Sequence, residues 1–363
     1  MAPSSTTAAG GVRRSLHIAV DMYRHAGPFL PNLSGCENDI RAMRQLLIAR
    51  FGFEERNAAL LVNEQATRQA ITDAWRSLAE QTQAGDTVFI QYSGHGSQMR
   101  DVHGDEEDGM DETILPHDTR DPGRQVFDIT DDEIKEWLDA LVAKTDNVVL
   151  LFDCCHSASA TRAVGDPTEP TRRAPNDWRE PPPPPPGARS VGVVKSGPSG
   201  WLPMNDRMVL IAGCRDDEEA SEHRSPVGVR YGALTFFLMQ AMQTAAADAT
   251  FRDVFEAAAA EVSSRYKQHP QLEGALDRPL FSSELAGQQP FFYVNQVDAA
   301  NRLVEIGAGA AQGMRVGSQL ALFPPRTRRF DQDARRLATA TIVQVGGVSS
   351  QARLADDVDP TSV

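Results

Sequence analysis

The first part of the chain alternates short apolar runs with longer amphipathic stretches. SLHIAVDMY, DTVFIQY and NVVLLFD are apolar, β-branched runs of strand length. GCENDIRAMRQLLIARFG and ATRQAITDAWRSLAEQTQAG have apolar residues at helical spacing, and the first of them ends at a glycine. Strands that alternate with helices predict an α/β fold, with a mostly parallel sheet flanked by helices on both faces.

Two segments depart from this pattern. Residues 162–206 include six consecutive prolines, which can continue neither a helix nor a sheet, so they predict an exposed linker. From about residue 286, short alternating runs such as NRLVEIG and ATATIVQVGG are separated by turn residues and predict a small all-β domain. We expect this C-terminal domain to bind a protein partner, and plain structural support of the chain is the alternative. The predicted boundaries are 1–14 for a disordered leader, 15–285 for the α/β domain, with its parts at 15–161 and 207–285 on either side of the linker, and 286–363 for the β-rich accessory domain.

Composition narrows the classes of partner. The net charge of −14 disfavours nucleic acid and anionic membranes and favours basic peptides. No apolar run approaches the roughly 20 residues that a membrane span needs, and the N-terminal residues lack the apolar core of a secretory signal. The four cysteines are too few and too scattered for a disulfide framework. We therefore predict a cytoplasmic protein with no nucleic-acid or membrane partner.

A histidine and a cysteine each follow an apolar run of strand character. His95 lies in YSGHGSQ after DTVFIQY, and Cys155 lies in DCCHSAS at the end of NVVLLFD. Both side chains are therefore expected on loops at the ends of neighbouring strands, where a nucleophile and its base can meet. A thiol needs an imidazole that takes its proton or stabilises its thiolate. The backbone N–H groups of Gly96 and Cys155 are predicted to hold the developing oxyanion.

Other interpretations of these residues are weaker. A cysteine at a strand end is often a small buried hydrophobe, and a histidine beside glycines is often a loop residue, but the two contexts together favour catalysis. Zinc binding by Cys154, Cys155 and His156 is disfavoured, because adjacent ligands cannot all face one tetrahedral ion and no CxxC pair is present. Periodicity alone leaves Cys154 and Cys155 open as the nucleophile, because a parallel strand buried on both faces shows no alternation.

The motifs YSGHG and DCCHS together resemble those of the caspase superfamily and, within it, the metacaspase and orthocaspase branch of bacterial type. The resemblance covers roughly residues 15–281. It implies a caspase-like fold whose large and small subunits flank the linker, and the activity of a cysteine endopeptidase. It also implies a Cys/His dyad in which the second cysteine of DCCHS, Cys155, is the nucleophile and His95 is the general base and then the acid.

The resemblance further implies which residues select the side chain before the scissile bond. Metacaspase-like enzymes line this pocket with acids, which selects Arg or Lys, and the corresponding residues here are Cys36, Asp39, Ser93 and Asp153. Two carboxylates near one guanidinium interact with it by about 4 kcal/mol each at an effective dielectric constant near 20. The expected partners are therefore proteins or peptides with Arg or Lys before the scissile bond. The alternative is a solvated Asp39 and a strand-capping Asp153.

The resemblance also raises the question of calcium, because many eukaryotic relatives are activated by Ca²⁺ that binds aspartates after the histidine. Asp111, Asp131 and Asp132 are the candidate ligands in this chain, because their carboxylates are hard oxygen donors. The family pattern also uses an aspartate about seven residues beyond the nucleophile, where this chain has Arg162. We therefore expect that no cofactor is required and that Ca²⁺ is an optional activator. The alternative is a set of solvated acidic loops.

The candidates for self-cleavage in the linker are Arg172, Arg173, Arg189 and Lys195, none of which is followed by proline. A catalytically silent scaffold that acts as an interaction platform is the rival hypothesis, and a cysteine transpeptidase or hydrolase on a similar sheet is a third. The intact Cys/His pair argues against a scaffold that has lost its activity. A cysteine transpeptidase or hydrolase would not require the two acids of the pocket, Asp39 and Asp153.

Overall fold

The computed structural model describes residues 11–104, 106, 108–121, 123, 126–155, 171–181, 197–203, 205–215, 218–281, 292, 294–310, 314–324, 327, 335–346, 349–356 and 358–360. The chain divides into two compact units, Met1–Ala286 and Gly287–Val363.

The described residues of the first unit form eleven strands and five α-helices. The strands are β1 (Arg13–Ala19), β2 (Ala58–Val62), β3 (Thr87–Ser93), β4 (Gly96–Arg100), β5 (Met110–Ile114), β6 (Ile129–Thr130), β7 (Val148–Asp153), β8 (Met208–Ala212), β9 (Glu222–Arg224), β10 (Arg230–Gly232) and β11 (Gln271–Gly274). The helices are α1 (Cys36–Phe51), α2 (Arg68–Gln81), α3 (Asp131–Val142), α4 (Ala233–Thr244) and α5 (Phe251–Arg265).

Six of these strands form one sheet, in the order β11-β8-β7-β3-β1-β2. All neighbouring pairs are parallel except β11 with β8. Every residue of β3 and β7 is buried, and alternate side chains lie on opposite faces. Val88 and Ile90 belong to the core that includes α2 and α3, whereas Phe89 belongs to the core that includes α1, α4 and α5. The prediction of a mostly parallel sheet flanked by helices on both faces is confirmed.

The start of α1 is held next to the end of β1. Asp21 accepts hydrogen bonds from the backbone N–H groups of Cys36 and Glu37, at 2.9 and 2.8 Å, and so satisfies the free donors at this helix start. The helix ends at Gly52, whose φ of 68° is the left-handed conformation that glycine adopts without strain. This arrangement brings the first turn of α1, which contains Asp39, to the carboxyl end of the sheet.

Two small antiparallel sheets complete the first unit. One has the order β4-β5-β6, with β4 at its end, and the other pairs β9 with β10. Because β4 begins at Gly96, directly after His95, this sheet starts at the same place as the candidate site.

The structure differs from the predicted organisation in two respects, the start of the first strand and the exposure of the linker. Arg13 and Arg14 belong to β1, so the strand begins two residues inside the predicted leader, and residues 1–10 lie outside the described part of the chain. The linker 162–206 is not exposed throughout, because Arg172, Ala174 and Trp201 are fully buried. Segments of the linker therefore pack into the α/β unit, which composition could not reveal because proline and glycine report backbone conformation and not burial.

The second unit is an antiparallel sheet of five strands, in the order β12-β13-β16-β15-β14. Its strands are β12 (Val294–Asp298), β13 (Leu303–Ile306), β14 (Gln319–Leu322), β15 (Ala338–Val345) and β16 (Ser350–Leu354). Along β16 buried and exposed residues alternate, and the buried ones, with Val304 and Ile306, form a separate hydrophobic core. The prediction of a small C-terminal all-β part is confirmed.

Among the described residues, no helix has both the length and the apolar composition that crossing a membrane requires.

Candidate active site

The register of the central sheet brings the two predicted catalytic residues to the same edge. Ser93 on β3 pairs with Asp153 on β7, as the last residues of two parallel strands. His95 and Cys155 each lie two residues beyond this pair, and both are fully buried. Parallel strands end at one edge of a sheet. Because His95 and Cys155 follow the paired strand ends by the same number of residues, both lie just beyond that edge.

The imidazole of His95 is oriented by a backbone carbonyl. Its Nε2 lies 2.8 Å from the carbonyl oxygen of Pro31, and its ring centroid lies 5.1 Å from that of Tyr23. Because a carbonyl oxygen can only accept, Nε2 carries the proton and Nδ1 keeps its lone pair, and Nδ1 has no hydrogen-bond partner among the described residues. Burial lowers the pKa of His95 to about 4, against the opposing effect of the Pro31 carbonyl. The neutral imidazole is therefore ready to accept a proton.

Two backbone N–H groups converge on one carbonyl oxygen. The N–H groups of Gly96 and Cys155 each donate to the carbonyl oxygen of Arg172, at a nitrogen-to-oxygen distance of 3.1 Å. A Cβ atom at Gly96 would lie 2.0 Å from the carbonyl oxygen of Cys155, so only glycine permits this close approach of the two loops. These are the same two donors that sequence analysis predicted for the oxyanion.

The Arg172 side chain lies in a cluster of buried acids. Its Nη2 lies 2.7 Å from Oδ2 of Asp39 and 3.7 Å from Oε1 of Glu222, and its Nη1 lies 3.5 Å from Oδ2 of Asp153. All four side chains are fully buried in these ion pairs. We call Asp39, Asp153 and Glu222 the acidic pocket. Desolvation alone would make three such charges costly, and a guanidinium among them offsets that cost.

Backbone and hydroxyl donors complete the acidic pocket. The N–H of Gly232 donates to Oδ1 of Asp39 at 2.9 Å, and the N–H and hydroxyl of Thr235 donate to Oδ2 of Asp153 at 2.9 and 2.7 Å. A Cβ atom at Gly232 would lie 2.2 Å from Oδ2 of Asp153, so this glycine leaves the room that the guanidinium occupies. Burial raises the pKa of Asp39 to about 7, and the Arg172 guanidinium opposes that rise.

Sequence analysis missed Glu222 and the carbonyl of Pro31. Glu222 also accepts hydrogen bonds from the N–H of Gly35, at 2.8 Å, and from the hydroxyl of Ser34, at 3.1 Å, so it ties the start of α1 to β9. The only sequence signal for Glu222 is its place in the acidic run RDDEEASEH, which does not distinguish it from its neighbours. A backbone carbonyl leaves no signal in the side-chain pattern at all.

For the other two predicted pocket residues, Cys36 and Ser93, the structure shows burial, and Cys36 interacts electrostatically with Arg172. Cys36 and Ser93 are fully buried, and the hydroxyl of Ser93 has no partner among the described residues. Burial raises the pKa of Cys36 well above its usual range, against the effect of Arg172, so this thiol stays protonated.

The third cysteine of the site comes from beyond the linker. Cys214 belongs to a small buried cluster with Cys155 and Ala220, and the backbone N–H of Ala220 donates to the sulfur of Cys155. The pKa of Cys214 is raised well above its usual range, first by its hydrogen bond with Cys155 and then by burial. All four cysteines are free thiols.

The predicted self-cleavage residues separate into two groups. Arg172 occupies the acidic pocket, whereas Arg173 points away from it, with its Nη1 3.5 Å from Oε1 of Glu219. Arg189 and Lys195 lie outside the described residues, as does Arg162.

The predicted calcium ligands lie in an acidic region after β4 but do not form one cluster. Two groups of three side chains each bring ligand atoms within 4.8 Å of one another: Asp101, His103 and Asp111, and Glu106, Glu112 and Asp131. Asp132 belongs to neither group and pairs with His103 at 2.5 Å. Burial and then the neighbouring charge of Glu112 raise the pKa of Asp131 well above its usual range, and its Oδ1 has no partner among the described residues. These oxygen donors fit a hard cation such as Ca²⁺.

Comparisons with known proteins agree with this geometry. Residues 13–163 match the family described as metacaspase, peptidase C14 domain. Over 156 residues the chain is 38% identical to Metacaspase-1 of Schizosaccharomyces pombe, covering 41% of this chain and 35% of that protein. Over 177 residues it is 33% identical to Metacaspase-1 of Eremothecium gossypii, covering 47% of this chain and 37% of that protein. The chain thus spans about a third of the length of these curated relatives.

A solved structure is similar in fold. The crystal structure of protein GSU0716 from Geobacter sulfurreducens has a TM-score of 0.52 at 22% sequence identity, covering 75% of this chain and 97% of that one. Residues 13–163 are therefore similar to the metacaspase family, and over this segment the comparisons confirm the resemblance drawn from YSGHG and DCCHS. The bacterial type stays a prediction.

Proposed function

We propose that the protein is a cysteine endopeptidase that cleaves after Arg or Lys, with Cys155 as nucleophile and His95 as base and then acid. One observation carries this proposal: the carbonyl of Arg172 accepts hydrogen bonds from the two oxyanion donors while its side chain pairs with three buried acids. A segment of the chain itself is therefore held as a substrate would be, with its carbonyl polarised by the backbone N–H groups of Gly96 and Cys155.

The chemistry follows from the groups at this carbonyl. The thiol of Cys155 transfers its proton to the unprotonated nitrogen of His95, and the thiolate attacks the carbonyl carbon. The negative charge that develops on the oxygen is stabilised by the N–H groups of Gly96 and Cys155. His95 then protonates the leaving amine as the C–N bond breaks, and water hydrolyses the remaining thioester with the same histidine as base.

Specificity for a basic residue is supported by the charge of the acidic pocket. Three buried carboxylates around one position favour a cation strongly and a substrate carboxylate not at all, because each ion pair contributes about 4 kcal/mol at 4 Å and an effective dielectric constant of 20. Desolvation of the pocket reduces this gain but also makes an empty or mismatched pocket unfavourable.

The same contacts select one bond of the linker for self-cleavage. We place it between Arg172 and Arg173, because Arg172 alone among the described candidates has both its carbonyl at the oxyanion donors and its guanidinium in the acidic pocket. The backbone N–H of Arg172 also donates to the carbonyl of Ala220 at 2.9 Å, which holds the chain extended on that side of the bond. A segment tethered at its own site has a high effective concentration, so this cleavage precedes that of other proteins.

Fluorogenic peptides with Arg, Lys or Asp before an aminocoumarin leaving group test the proposal directly. We expect hydrolysis after Arg and Lys, negligible hydrolysis after Asp, and none with the Cys155→Ala variant. Hydrolysis after Asp in preference to Arg would contradict the role of the acidic pocket. The silent-scaffold alternative predicts no hydrolysis of any peptide by the wild-type protein, and none of the contacts described here favours it.

We further propose that Ca²⁺ binds the carboxylates of Glu106, Glu112 and Asp131. Two observations at Asp131 support this proposal: its Oδ1 is buried without a partner among the described residues, and the pKa of its carboxyl is raised. A divalent cation would bind this oxygen and favour the charged form of the carboxyl. Bound there, the cation would neutralise charge at the start of α3 and near β5, and it would take no part in the chemistry at Cys155.

A further inference from the structure

The residues that follow the proposed scissile bond run along the free side of β4. Strand β4 is an edge strand of the three-stranded sheet β4-β5-β6. Gly96 forms a parallel bridge with Arg173, and Met99 forms one with Asp177. The N–H of Ala174 donates to the carbonyl of Gly96 at 2.9 Å, and the N–H of Asp177 donates to the carbonyl of Gln98 at 2.8 Å. Residues 173–177 thus run parallel to β4 and are joined to it at two isolated bridges, in the manner of an added strand.

Two side chains hold this added strand in register. The hydroxyl of Ser97 donates to the carbonyl of Pro175 at 2.8 Å, and Nη1 of Arg120 donates to the same carbonyl at 2.5 Å. Arg120 is itself fixed, because its Nη2 lies 2.8 Å from the fully buried Oδ2 of Asp128. These contacts involve only the backbone of the added strand, so they would hold a peptide of any sequence that leaves this carbonyl accessible.

Selectivity arises at the first two positions after the bond. The guanidinium of Arg173 faces Glu219, a contact that an acidic residue would turn into repulsion. Ala174 is fully buried and belongs to the hydrophobic core cluster that also contains Trp201 and Cys154. A larger side chain at that position would have to displace well-packed neighbours.

We propose that the free edge of β4, with Ser97, Arg120 and Glu219, is a binding site for the residues after the scissile bond of protein substrates. It binds them as a parallel strand, favours a basic residue immediately after the cut, and requires a small residue at the second position. This inference rests on the proposed function and specifies its substrates: flexible segments with the pattern basic, basic, small, cut between the two basic residues.

Quenched fluorescent peptides test the inference on full-length wild-type enzyme that has completed self-cleavage. The parent peptide has the sequence of residues 171–177, TRRAPND, and two further peptides replace the second arginine with glutamate or the alanine with leucine. We expect kcat/KM to fall about fivefold or more for the glutamate peptide and about tenfold or more for the leucine peptide. Acyl-Thr-Arg-aminocoumarin, which has no residues after the bond, measures the proposed function separately.

Charge reversal at Glu219 provides the matched test on the enzyme. In Glu219→Lys, the ratio of kcat/KM for the glutamate peptide to that for the parent should rise about tenfold or more. Glu256→Gln, which removes an exposed acid on α5, should leave that ratio unchanged. Aminocoumarin hydrolysis with less than about twofold discrimination among the three peptides would overturn the inference and leave the proposed function standing. An enzyme that hydrolyses neither the aminocoumarin nor any peptide would overturn both.

Discussion

The carbonyl oxygen of Arg172 lies 3.1 Å from the backbone nitrogen of Cys155, which donates a hydrogen bond to it. The proposed nucleophile and the bond proposed for its first cleavage thus belong to one chain and already face each other. Both residues are fully buried, and the Arg172 side chain fills the acidic pocket. If the proposed function holds, we expect removal or cleavage of this segment to open the site to other substrates.

Substitutions of Arg172 and Arg173 test which of the two neighbouring arginines determines the proposed cleavage site. In Arg172→Gln the cut after residue 172 should disappear, because the acidic pocket no longer receives a cation. Arg173→Gln should still be cut at the same bond, with a rate lowered by no more than about tenfold, because Arg173 only contacts the partly exposed Glu219. N-terminal sequencing of the small fragment measures this, and a wild-type fragment that starts anywhere but residue 173 contradicts the assignment.

The two adjacent cysteines should differ completely in their effect. Cys155→Ala should abolish peptide hydrolysis and leave the chain whole, because no other described thiol has its backbone N–H on the Arg172 carbonyl. Cys154→Ala should keep most of the activity, since Cys154 belongs to the hydrophobic core. Peptide kinetics, with circular dichroism as the control for folding, distinguish the two. Full activity in Cys155→Ala would rule out the proposed nucleophile.

Each acid of the pocket should contribute to recognition of arginine. Asp39→Asn, Asp153→Asn and Glu222→Gln should each lower kcat/KM for Arg peptides by about 10²-fold, because the remaining carboxylates pair the guanidinium incompletely in a desolvated site. The control Glu256→Gln removes an exposed acid outside the pocket and should have no effect. If Glu222→Gln binds and cleaves Arg peptides as well as wild type, Glu222 is a structural tie between α1 and β9 only.

Stability should depend on pH through His17, a buried histidine on β1. Burial lowers its pKa to about 4, against the opposing hydrogen bond with Gln91, whereas the unfolded chain has the usual value of 6.5. As the pH falls below 6.5 the unfolded state therefore takes up a proton that the folded state refuses, and stability is lost until about pH 4. We expect His17 to lower the free energy of unfolding by about 2 kcal/mol between pH 7 and pH 5.

Urea unfolding of wild type and His17→Gln at both pH values measures this contribution. The uncut Cys155→Ala background keeps the chain in one form for the comparison. The loss of unfolding free energy on acidification should be about 2 kcal/mol smaller in the His17→Gln variant, which retains the similar contribution of His95. An equal loss in both proteins would mean that His17 is not held neutral in the folded state.

Calcium should stabilise the uncut protein if Asp131 is a ligand. In the Cys155→Ala background, about 1 mM Ca²⁺ should raise Tm by about 2 °C or more, because only the folded state presents the carboxylates together. Asp131→Asn should abolish this shift, whereas Asp206→Asn, at an exposed acid, should keep it. Differential scanning fluorimetry gives this readout without reference to activity, and an unchanged Tm in the presence of Ca²⁺ contradicts the proposed site.

Local patterns were sufficient for the central strands and for the positions of the candidate residues on the loops, whereas the choice of Cys155 over Cys154 came from the family resemblance. Apolar β-branched runs predicted β1, β3 and β7, because a strand buried on both faces must be apolar throughout. The glycines around His95 and the DCCHS run identified the residues at the strand ends, since a close backbone approach and a nucleophile leave local signals. The same logic separated the C-terminal all-β part, where buried and exposed positions alternate along β16.

Long-range contacts decided the rest, and no local pattern encodes them. Arg172 was one of four equivalent candidates for self-cleavage in a proline-rich segment, and only the folded chain brings it between Asp39, Asp153 and Glu222. Burial of a charge depends on partners from distant parts of the chain, whereas composition reports only the average solvation of a segment. The sequence by itself determined that the candidate base, His95, and the candidate nucleophile, Cys155, lie at the ends of two apolar strands. The tertiary structure decided which arginine meets them, because that choice is made by electrostatic complementarity in three dimensions.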